Sequence, residues 1–263
     1  MSQKLILIAL IIGTATAIEA LAMQKGELGM GGGISTPSGS NALQDNPAAL
    51  IYDSGIRLNA QGLTQNDQFN PVTHEERLIL GYGHIMGAAV GTHTYKDGST
   101  TDRSGDYGAG VYLRSIYTSV GASGSTRLKD TPSVPGKRTD YRITALFNPY
   151  GNARIGVGFM NLVGGLHNIV VGTSADVAPH FTLGVDGSTS EDLRGVTVIP
   201  AAGLHFGVLE LSGGYGVRAN KQKDSFYQSM WTAGMGLKLG HTLELEYRYR
   251  HLDAHAVSVT LSF

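Results

Sequence analysis

The chain contains nine histidines and no cysteine, so its candidate metal ligands are imidazoles and carboxylates. His251 and His255 are four residues apart, a spacing that brings two imidazoles together on a helix. Here the two histidines flank a turn between extended segments, and the helical argument does not apply. A hydrolase would need a nucleophile and a base that converge at one rim, and no serine–histidine spacing singles out such a pair. We therefore predict no metal site, no cofactor and no enzymatic activity.

Charged residues near the C-terminus follow a clearer pattern. Within Leu243–Arg250 every odd position is apolar or aromatic, and the even positions hold Glu244, Glu246, Arg248 and Arg250. Successive side chains of a strand point to opposite faces, so all these charges share one face. An Arg or Lys that faces lipid near the middle of a bilayer costs roughly 2–4 kcal/mol. If this strand crosses a membrane, its charged face must therefore point away from lipid.

The alternation resumes after a short turn and continues to the last residue. One face of this final segment carries Val257, Val259, Leu261 and Phe263, and the other carries Ala, Ser and Thr residues. A soluble sheet rarely ends on an aromatic edge strand, because an unpaired edge invites aggregation, whereas barrel closure pairs the edge. We interpret the two segments as the last strands of an outer-membrane β-barrel. The apolar face of the final strand is its predicted C-terminal assembly signal.

The N-terminus has the features of a secretory signal peptide. Lys4 precedes the apolar run Leu5–Ile12, which is followed by small-residue cleavage patterns that end at Ala17 and Ala22. The run is too short to span a bilayer, since a membrane helix takes about 20 apolar residues. We predict a signal peptide over residues 1–22. Because cysteine is absent, we expect neither a lipidated N-terminus nor a disulfide.

The composition indicates one all-β domain. The chain has 37 Gly and 12 Tyr among 263 residues, and only 16% of its residues are charged. Its mean hydropathy of -0.04 is typical of a barrel, in which lipid-facing and lumen-facing residues alternate and average out. No apolar stretch after the signal peptide is long enough for a transmembrane helix. A formal net charge of -1 gives no electrostatic reason to expect a nucleic-acid partner.

Alternation and turn residues predict a transmembrane antiparallel β-barrel of about fourteen strands, with twelve as the alternative. The predicted strands are Ile56–Thr64, Arg77–His84, Ala88–Lys96, Asp106–Ser115, Tyr117–Thr126, Asp140–Phe147, Ala153–Asn161, His167–Asp176, His180–Gly187, Val196–Phe206, Val208–Arg218, Tyr227–Leu239, Thr242–Arg250 and His255–Phe263. Short turns alternate with longer polar loops, such as Asp97–Gly105 and Arg127–Thr139. Because bacterial barrels have short periplasmic turns, we predict a location in the Gram-negative outer membrane with both termini in the periplasm.

On these strands the alternation assigns most charged residues to the lumen. The assigned cations are Arg57, Arg114, Arg142, Arg154, Arg218, Lys238, Arg248 and Arg250, and the assigned anions are Asp176, Asp186, Glu210, Glu244 and Glu246. Two interpretations are open: the charges cross-brace the interior, or they form a selectivity lining with a slight cationic excess. Aromatic residues fall on the opposite phase and are expected to face lipid or to form the interfacial girdle.

Residues 23–54 differ in character from the strands, since they are too polar and too rich in Gly for a lipid-facing segment. They include the stretch Gly39–Leu50, in which Asn46, Pro47 and Ala48 come shortly before Leu50. This stretch resembles the N-terminal signature of the FadL-like superfamily of outer-membrane barrels. That superfamily includes transporters of long-chain fatty acids and aromatic hydrocarbons, and also PorV-type and TraF-like proteins.

The resemblance implies a barrel over residues 55–263 whose lumen is plugged by residues 23–54 as a hatch. It also implies transport of small hydrophobic molecules across the outer membrane. The predicted outer loops are not rich in Leu, Phe or Ile, so an apolar groove for a fatty acid is not expected. Two other functions therefore stay open: a general diffusion porin, and a PorV-like docking barrel for a surface or secreted partner. The expected partners are outer-membrane lipid and lipopolysaccharide, the barrel-assembly machinery and a small hydrophobic ligand.

Overall fold

The structure of the chain is a computed structural model. It describes residues 34–35, 42–52, 55–65, 73–82, 85–97, 100–127, 139–148, 152–160, 162–163, 168–190, 195–220, 227–250 and 254–263. Within these ranges, no helix has both the length and the apolar character that a membrane span requires. The predicted signal peptide, residues 1–22, lies outside the described residues, as does most of residues 23–54.

The described residues form fourteen antiparallel strands that close into one barrel. The strands are β1 (Gly55–Gln65), β2 (Thr73–Tyr82), β3 (Met86–Asp97), β4 (Thr100–Leu113), β5 (Thr118–Arg127), β6 (Thr139–Phe147), β7 (Ala153–Met160), β8 (Asn168–Ala178), β9 (Phe181–Ser190), β10 (Gly195–Phe206), β11 (Leu209–Asn220), β12 (Tyr227–Leu239), β13 (Leu243–Arg250) and β14 (Ala254–Ser262). Each strand pairs with its neighbours in the sequence, and β1 pairs with β14. The predicted count of fourteen is confirmed, and the alternative of twelve is wrong.

The alternation of side chains separates an apolar outer face from a small or polar inner face. On β7, for example, Ile155, Val157 and Phe159 are exposed on the outside, whereas Gly156 and Gly158 are buried on the inside. The exposed aromatic side chains of the outer face are Tyr82, Tyr107, Tyr141, Phe147, Phe159, Phe206, Tyr215, Trp231, Tyr247 and Phe263. An apolar outer face around the whole barrel is what contact with lipid requires.

The connections define two different rims. One end of the barrel, here called the short-turn rim, carries the turns that join β2 to β3, β4 to β5, β6 to β7, β8 to β9, β10 to β11 and β12 to β13, together with Gly55 and Phe263. The other end is the long-loop rim. The predicted loop Asp97–Gly105 at the long-loop rim is wrong, because Lys96 pairs with Thr101 and the strands continue almost to the turn. Polar residues can extend a hairpin into water, since strand pairing satisfies their backbone groups without an apolar face.

The predicted strand position of Arg114, on which its lumenal assignment rests, is also wrong. This residue begins the exposed 3-10 turn Arg114–Ile116 between β4 and β5, and the turn ends at Tyr117 with a positive φ of 51°. Because a turn does not follow the two-residue period of a strand, the alternation carries no information about where Arg114 points.

Reciprocal hydrogen bonds close the barrel at the seam between β1 and β14. Phe263 N donates to Ile56 O at 2.9 Å, and Ile56 N donates to Phe263 O at 3.3 Å. Gly55 precedes this pair with a φ of +78°, and a Cβ on Gly55 would lie 2.6 Å from Phe263 O. Val257, Val259, Leu261 and Phe263 lie on the outer face of β14 and its end. Their recognition as an assembly signal stays a prediction.

We expect Val171→Arg to lower the free energy of unfolding by roughly 2–4 kcal/mol, because it places a guanidinium in lipid near the middle of β8. Val171 is 48% exposed on the outer face. The matched control is Val208→Arg in a short turn, where the side chain is 56% exposed, and we expect a loss of about 1 kcal/mol or less. Urea titration of folding into lipid vesicles measures both values. Equal losses would show that this part of β8 does not face the bilayer interior.

Candidate functional site

Residues 42–52, here called the inner segment, lie inside the barrel. They form one helical turn, α1 (Ala42–Asp45), and a 3-10 helix, Pro47–Tyr52, which packs on the inner face of β2 to β6. Residues 47–51 are buried. Apolar residues of the segment form a cluster with Ile79 and Ala89 of the wall. The lumen is therefore occupied on this side by part of the N-terminal region.

Asn46 determines how the inner segment turns. Its side-chain oxygen accepts a hydrogen bond from Ala48 N at 3.1 Å, and its backbone oxygen accepts one from Ala49 N at 2.8 Å. Asn46 therefore caps the 3-10 helix, and Pro47 occupies the first helical position, where its missing N–H costs nothing. The Asn46 amide nitrogen donates to Ile34 O at 2.6 Å, which ties the segment to an earlier part of the chain. Both ends of a fully buried amide are thus paired.

Ala48 also bonds directly to the wall, since its N–H donates to Thr144 Oγ1 of β6 at 2.9 Å. Glycines of β3, β4 and β5 face the same region. A Cβ on Gly110 would lie 2.6 Å from Pro47 O, and a Cβ on Gly121 would collide with the backbone of Pro47 and Ala48. A Cβ on Gly87 would collide with Leu50 in the same way. These glycines let the backbone of the segment approach the backbone of the wall.

Ile34 and Ser35 make a second attachment, to β7 through β10. Ile34 is fully buried and packs with Met160, Val170 and Ile199 in a cluster separate from that of the inner segment. Ser35 Oγ donates to Asp186 Oδ1 at 2.8 Å, and Ser174 Oγ donates to Ser35 O at 2.8 Å. The hydrogen bond between Asn46 and Ile34 joins the two attachments. The inner segment and Ile34–Ser35 together are therefore held to nine adjoining strands, β2 to β10, by both apolar contact and polar links.

A second feature of the lumen lies near the short-turn rim. Seven side chains, one from each strand from β7 to β13, follow one another around the wall in what we call the charged arc. They are Arg154, Asp176, Thr182, His205, Glu210, Lys238 and Glu244. The side chains of the six ionisable members are between 24% and 45% exposed, so the arc borders solvent-accessible space.

The contacts along the arc are continuous. Arg154 Nη2 donates to Asp176 at 2.7 Å, and Thr182 Oγ1 donates to the other oxygen of that carboxylate at 2.6 Å. His205 lies between the two halves, with Nε2 3.3 Å from Thr182 Oγ1 and Nδ1 3.5 Å from Glu210 Oε1. Lys238 then contacts Glu210, and its Nζ lies 3.9 Å from Glu244. The arc thus cross-braces neighbouring strands while its charges face the lumen.

The structure places the predicted lumen residues as follows. Arg154, Glu210 and Glu244 belong to the arc. Glu246 and Arg248 form an ion pair on the inner face of β13, and Ser258 Oγ donates to Glu246 at 3.1 Å. Arg142 is 4% exposed on β6, 3.9 Å from Asp140. The side chains of Arg218 and Arg250 are outside the described residues, although their strands are described.

Sequence reasoning missed the contacts between the wall glycines and the inner segment, and it missed the continuous links of the charged arc. The signal for the glycine contacts was present, because Gly87, Gly110 and Gly121 all fall on the inner phase of their strands. Nothing local indicated which part of the chain they would meet. Among the histidines, His93 Nδ1 lies 3.0 Å from Asp106, and the described residues contain no group of three His, Cys, Asp or Glu side chains that could hold a metal ion.

We expect Gly121→Ala to loosen the inner segment, because the added methyl group collides with Pro47 and Ala48. The chain has no cysteine, so Ala48→Cys introduces a unique reporter at a fully buried position. If the substitution destabilises the attached position of the inner segment by about 1.4 kcal/mol, maleimide labelling of this cysteine accelerates roughly tenfold. The matched control is Gly236→Ala on the inner face of β12, where the nearest atom would be Glu210 Cβ at 3.5 Å. Equal labelling rates in the two variants would contradict the contact.

Comparison with known proteins identifies the fold. No protein-family model matches the chain, and no curated protein does. Among solved structures, the CymD monoaromatic hydrocarbon channel matches with a TM-score of 0.71 and 15% identity, over 92% of this chain and 99% of that chain. The deltaS2 mutant of the TodX monoaromatic hydrocarbon channel matches with a TM-score of 0.63 and 10% identity, over 89% and 97%. The chain therefore shares the closed barrel fold of these two channels, which is the fold that the resemblance of its Asn46-Pro47-Ala48 stretch implied.

Proposed function

We propose that this protein is an outer-membrane channel through which small hydrophobic molecules cross by diffusion, and that residues 23–54 act as its hatch. The observation that carries the proposal is the inner segment itself, which is held by Asn46, Thr144 and the wall glycines inside a closed barrel. The fold supports the same function, since both comparison structures are hydrocarbon channels by description.

The proposed orientation places the short-turn rim in the periplasm. Gly55 and Phe263, the first and last residues of the barrel, lie at this rim. Short turns at this rim and longer connections at the other agree with the general form of bacterial outer-membrane barrels. The charged arc then lies near the periplasmic mouth.

Apolar surface on the inner wall favours a hydrophobic solute. Ile79 and Ala89 contact the inner segment, and Met160, Val170 and Ile199 contact Ile34. Any movement of the segment away from the wall uncovers these side chains to the lumen. A solute with an apolar surface can cover them in its place, and burial of apolar area contributes roughly 25 cal/mol per Å². Displacement of the segment therefore exposes a path whose apolar contacts favour a hydrophobic solute over water and ions.

The charged arc supports a diffusion porin as the second candidate. Its side chains are partly exposed to the lumen, as a polar lining for ions and small solutes would be. The two candidates differ in whether the lumen conducts while the inner segment is in place.

Planar-bilayer conductance separates the two candidates. We expect the mature protein to stay closed, because the inner segment occupies the lumen, and we expect steady ion conduction once residues 23–54 are deleted. Gly121→Ala in the full-length protein should conduct intermittently, and Gly236→Ala should behave as the unaltered protein does. A steady open channel in the intact protein would contradict the hatch and favour the porin.

Uptake of a hydrocarbon tests whether the inner segment must move. Ala48 N lies 2.9 Å from Thr144 Oγ1, so the pair Ala48→Cys and Thr144→Cys offers a disulfide between the segment and β6 in a chain without other cysteines. We expect oxidation of this pair to abolish uptake of radiolabelled toluene by cells that express the protein, and a reductant to restore it. The single variant Ala48→Cys is the control. Uptake that is insensitive to oxidation, with the disulfide shown to have formed, would contradict passage by displacement of the segment.

A further inference from the structure

A cavity of about 410 Å³ opens on the outer face of the barrel where the chain closes on itself. It lies on β14, β1, β2 and β3. The outer-face side chains that line it are Leu58, Ala60, Glu76, Leu78, Val90, Thr92, Val259 and Leu261. Its volume falls in the range of about 300–1,000 Å³ that is usual for sites that bind small organic molecules.

The wall is indented at this cavity. Leu261 is only 8% exposed, although it lies on the outer face, whereas Val257 and Phe263 on the same face of the same segment are 42% and 52% exposed. Leu261 is opposite Leu58 in the register of the strands, and Leu58 is opposite Leu78. These leucines form a row across the indentation that is partly shielded from the surroundings of the barrel.

The floor of the cavity is closed by the described residues. Pairing between β14, β1, β2 and β3 is continuous through the cavity without a register shift. Asn59, Arg77 and Gly91, which lie on the inner phase of their strands, also line this floor, and the side chains of Asn59 and Arg77 are 3% and 4% exposed. A Cβ on Gly91 would lie 2.9 Å from Arg77 Cγ, so the Arg77 side chain lies directly against the wall. The cavity is therefore an external site and does not lead into the lumen.

One edge of the cavity is polar. Glu76 is the fourth residue of β2, on the side nearer the long-loop rim, and it lies in register between Ala60 and Thr92. Among the outer-face side chains that the structure describes, Glu76 is the one carboxylate. A carboxylate has about four lone-pair positions, so it can accept hydrogen bonds from an added donor beside those from protein partners. The cavity thus combines an apolar body with an acidic edge near one membrane interface.

We propose that this cavity binds a long-chain amphiphile from the bilayer that carries a hydrogen-bond-donating cationic headgroup. The aliphatic chain lies on Leu58, Leu78 and Leu261, and an ammonium group contacts the Glu76 carboxylate. A cavity that opens to hydrocarbon is filled by an acyl chain, because an empty one forfeits the dispersion contacts of its lining. The headgroup contact is charge-assisted and selects this amphiphile over lipids without a donor.

Quenching by brominated lipids tests the proposal in the full-length protein in lipid vesicles. The chain has one tryptophan, so Trp231→Phe gives a silent background. Val90→Trp reports on the cavity, and Val171→Trp on β8 is the matched reporter, since the two valines are 54% and 48% exposed on the outer face. The quenchers are a dibrominated octadecylamine and a dibrominated phosphatidylcholine, whose headgroup has no hydrogen-bond donor.

We expect the amine, at equal mole fraction, to bind near the Val90→Trp reporter about fivefold more strongly than the phosphatidylcholine does, as one charged hydrogen bond at an interface allows. The Val171→Trp reporter should show no such preference. Glu76→Gln, which keeps the shape of the side chain and removes its charge, should bring the preference at the cavity down to that at β8.

Three results would overturn the proposal. Equal preference at the two reporters would make the cavity part of the ordinary lipid shell. Weak quenching of the Val90→Trp reporter by both lipids would show that protein, such as a second copy of the chain, covers the cavity. If the preference for the amine persists in the Glu76→Gln variant, the proposed contact between the headgroup and Glu76 is contradicted. Heat-resistant migration in gels verifies that each variant forms the barrel, and none of these results depends on movement of residues 23–54.

Discussion

The structure depends on one constraint: hydrocarbon offers no partner for a backbone N–H or C=O, so every such group in the membrane must pair within the protein. Fourteen strands meet this requirement only because β1 pairs with β14. The reciprocal bonds between Ile56 and Phe263 complete that seam at the short-turn rim. Once the barrel is closed, each strand has one lipid-facing side and one enclosed side. The apolar outer face and the small or polar inner face follow from this division.

Closure also creates the problem that the N-terminal region addresses. The lumen of a barrel of fourteen strands holds water unless part of the polypeptide fills it. The inner segment fills part of it by backbone contact, since Gly110 and Gly121 let Pro47 and Ala48 approach the wall more closely than any other residue type would permit. The Asn46 side chain pairs with buried backbone groups at both ends of its amide: its oxygen accepts from Ala48 N and its nitrogen donates to Ile34 O.

The lumen is divided between two kinds of surface. The inner segment covers apolar side chains on β2 and β3, such as Ile79 and Ala89, whereas β7 to β13 carry the charged arc near the short-turn rim. The arc satisfies its own charges through neighbours on adjacent strands, so it stabilises the wall and still presents a polar surface. A hydrophobic solute and an ion would therefore meet different parts of the same lumen.

The sequence by itself determined the fold class, the strand number and the face of most residues, because alternation is a local property that each strand carries between positions i and i+2. It failed where the period ends: Arg114 lies in a turn, and the hairpin at Asp97 extends through a predicted loop. Only the tertiary structure decided which inner glycines meet the inner segment, which side chains of seven strands form the charged arc, and where the outer wall is indented. Those contacts depend on strand register and on closure between residues far apart in the chain, and no local pattern encodes them.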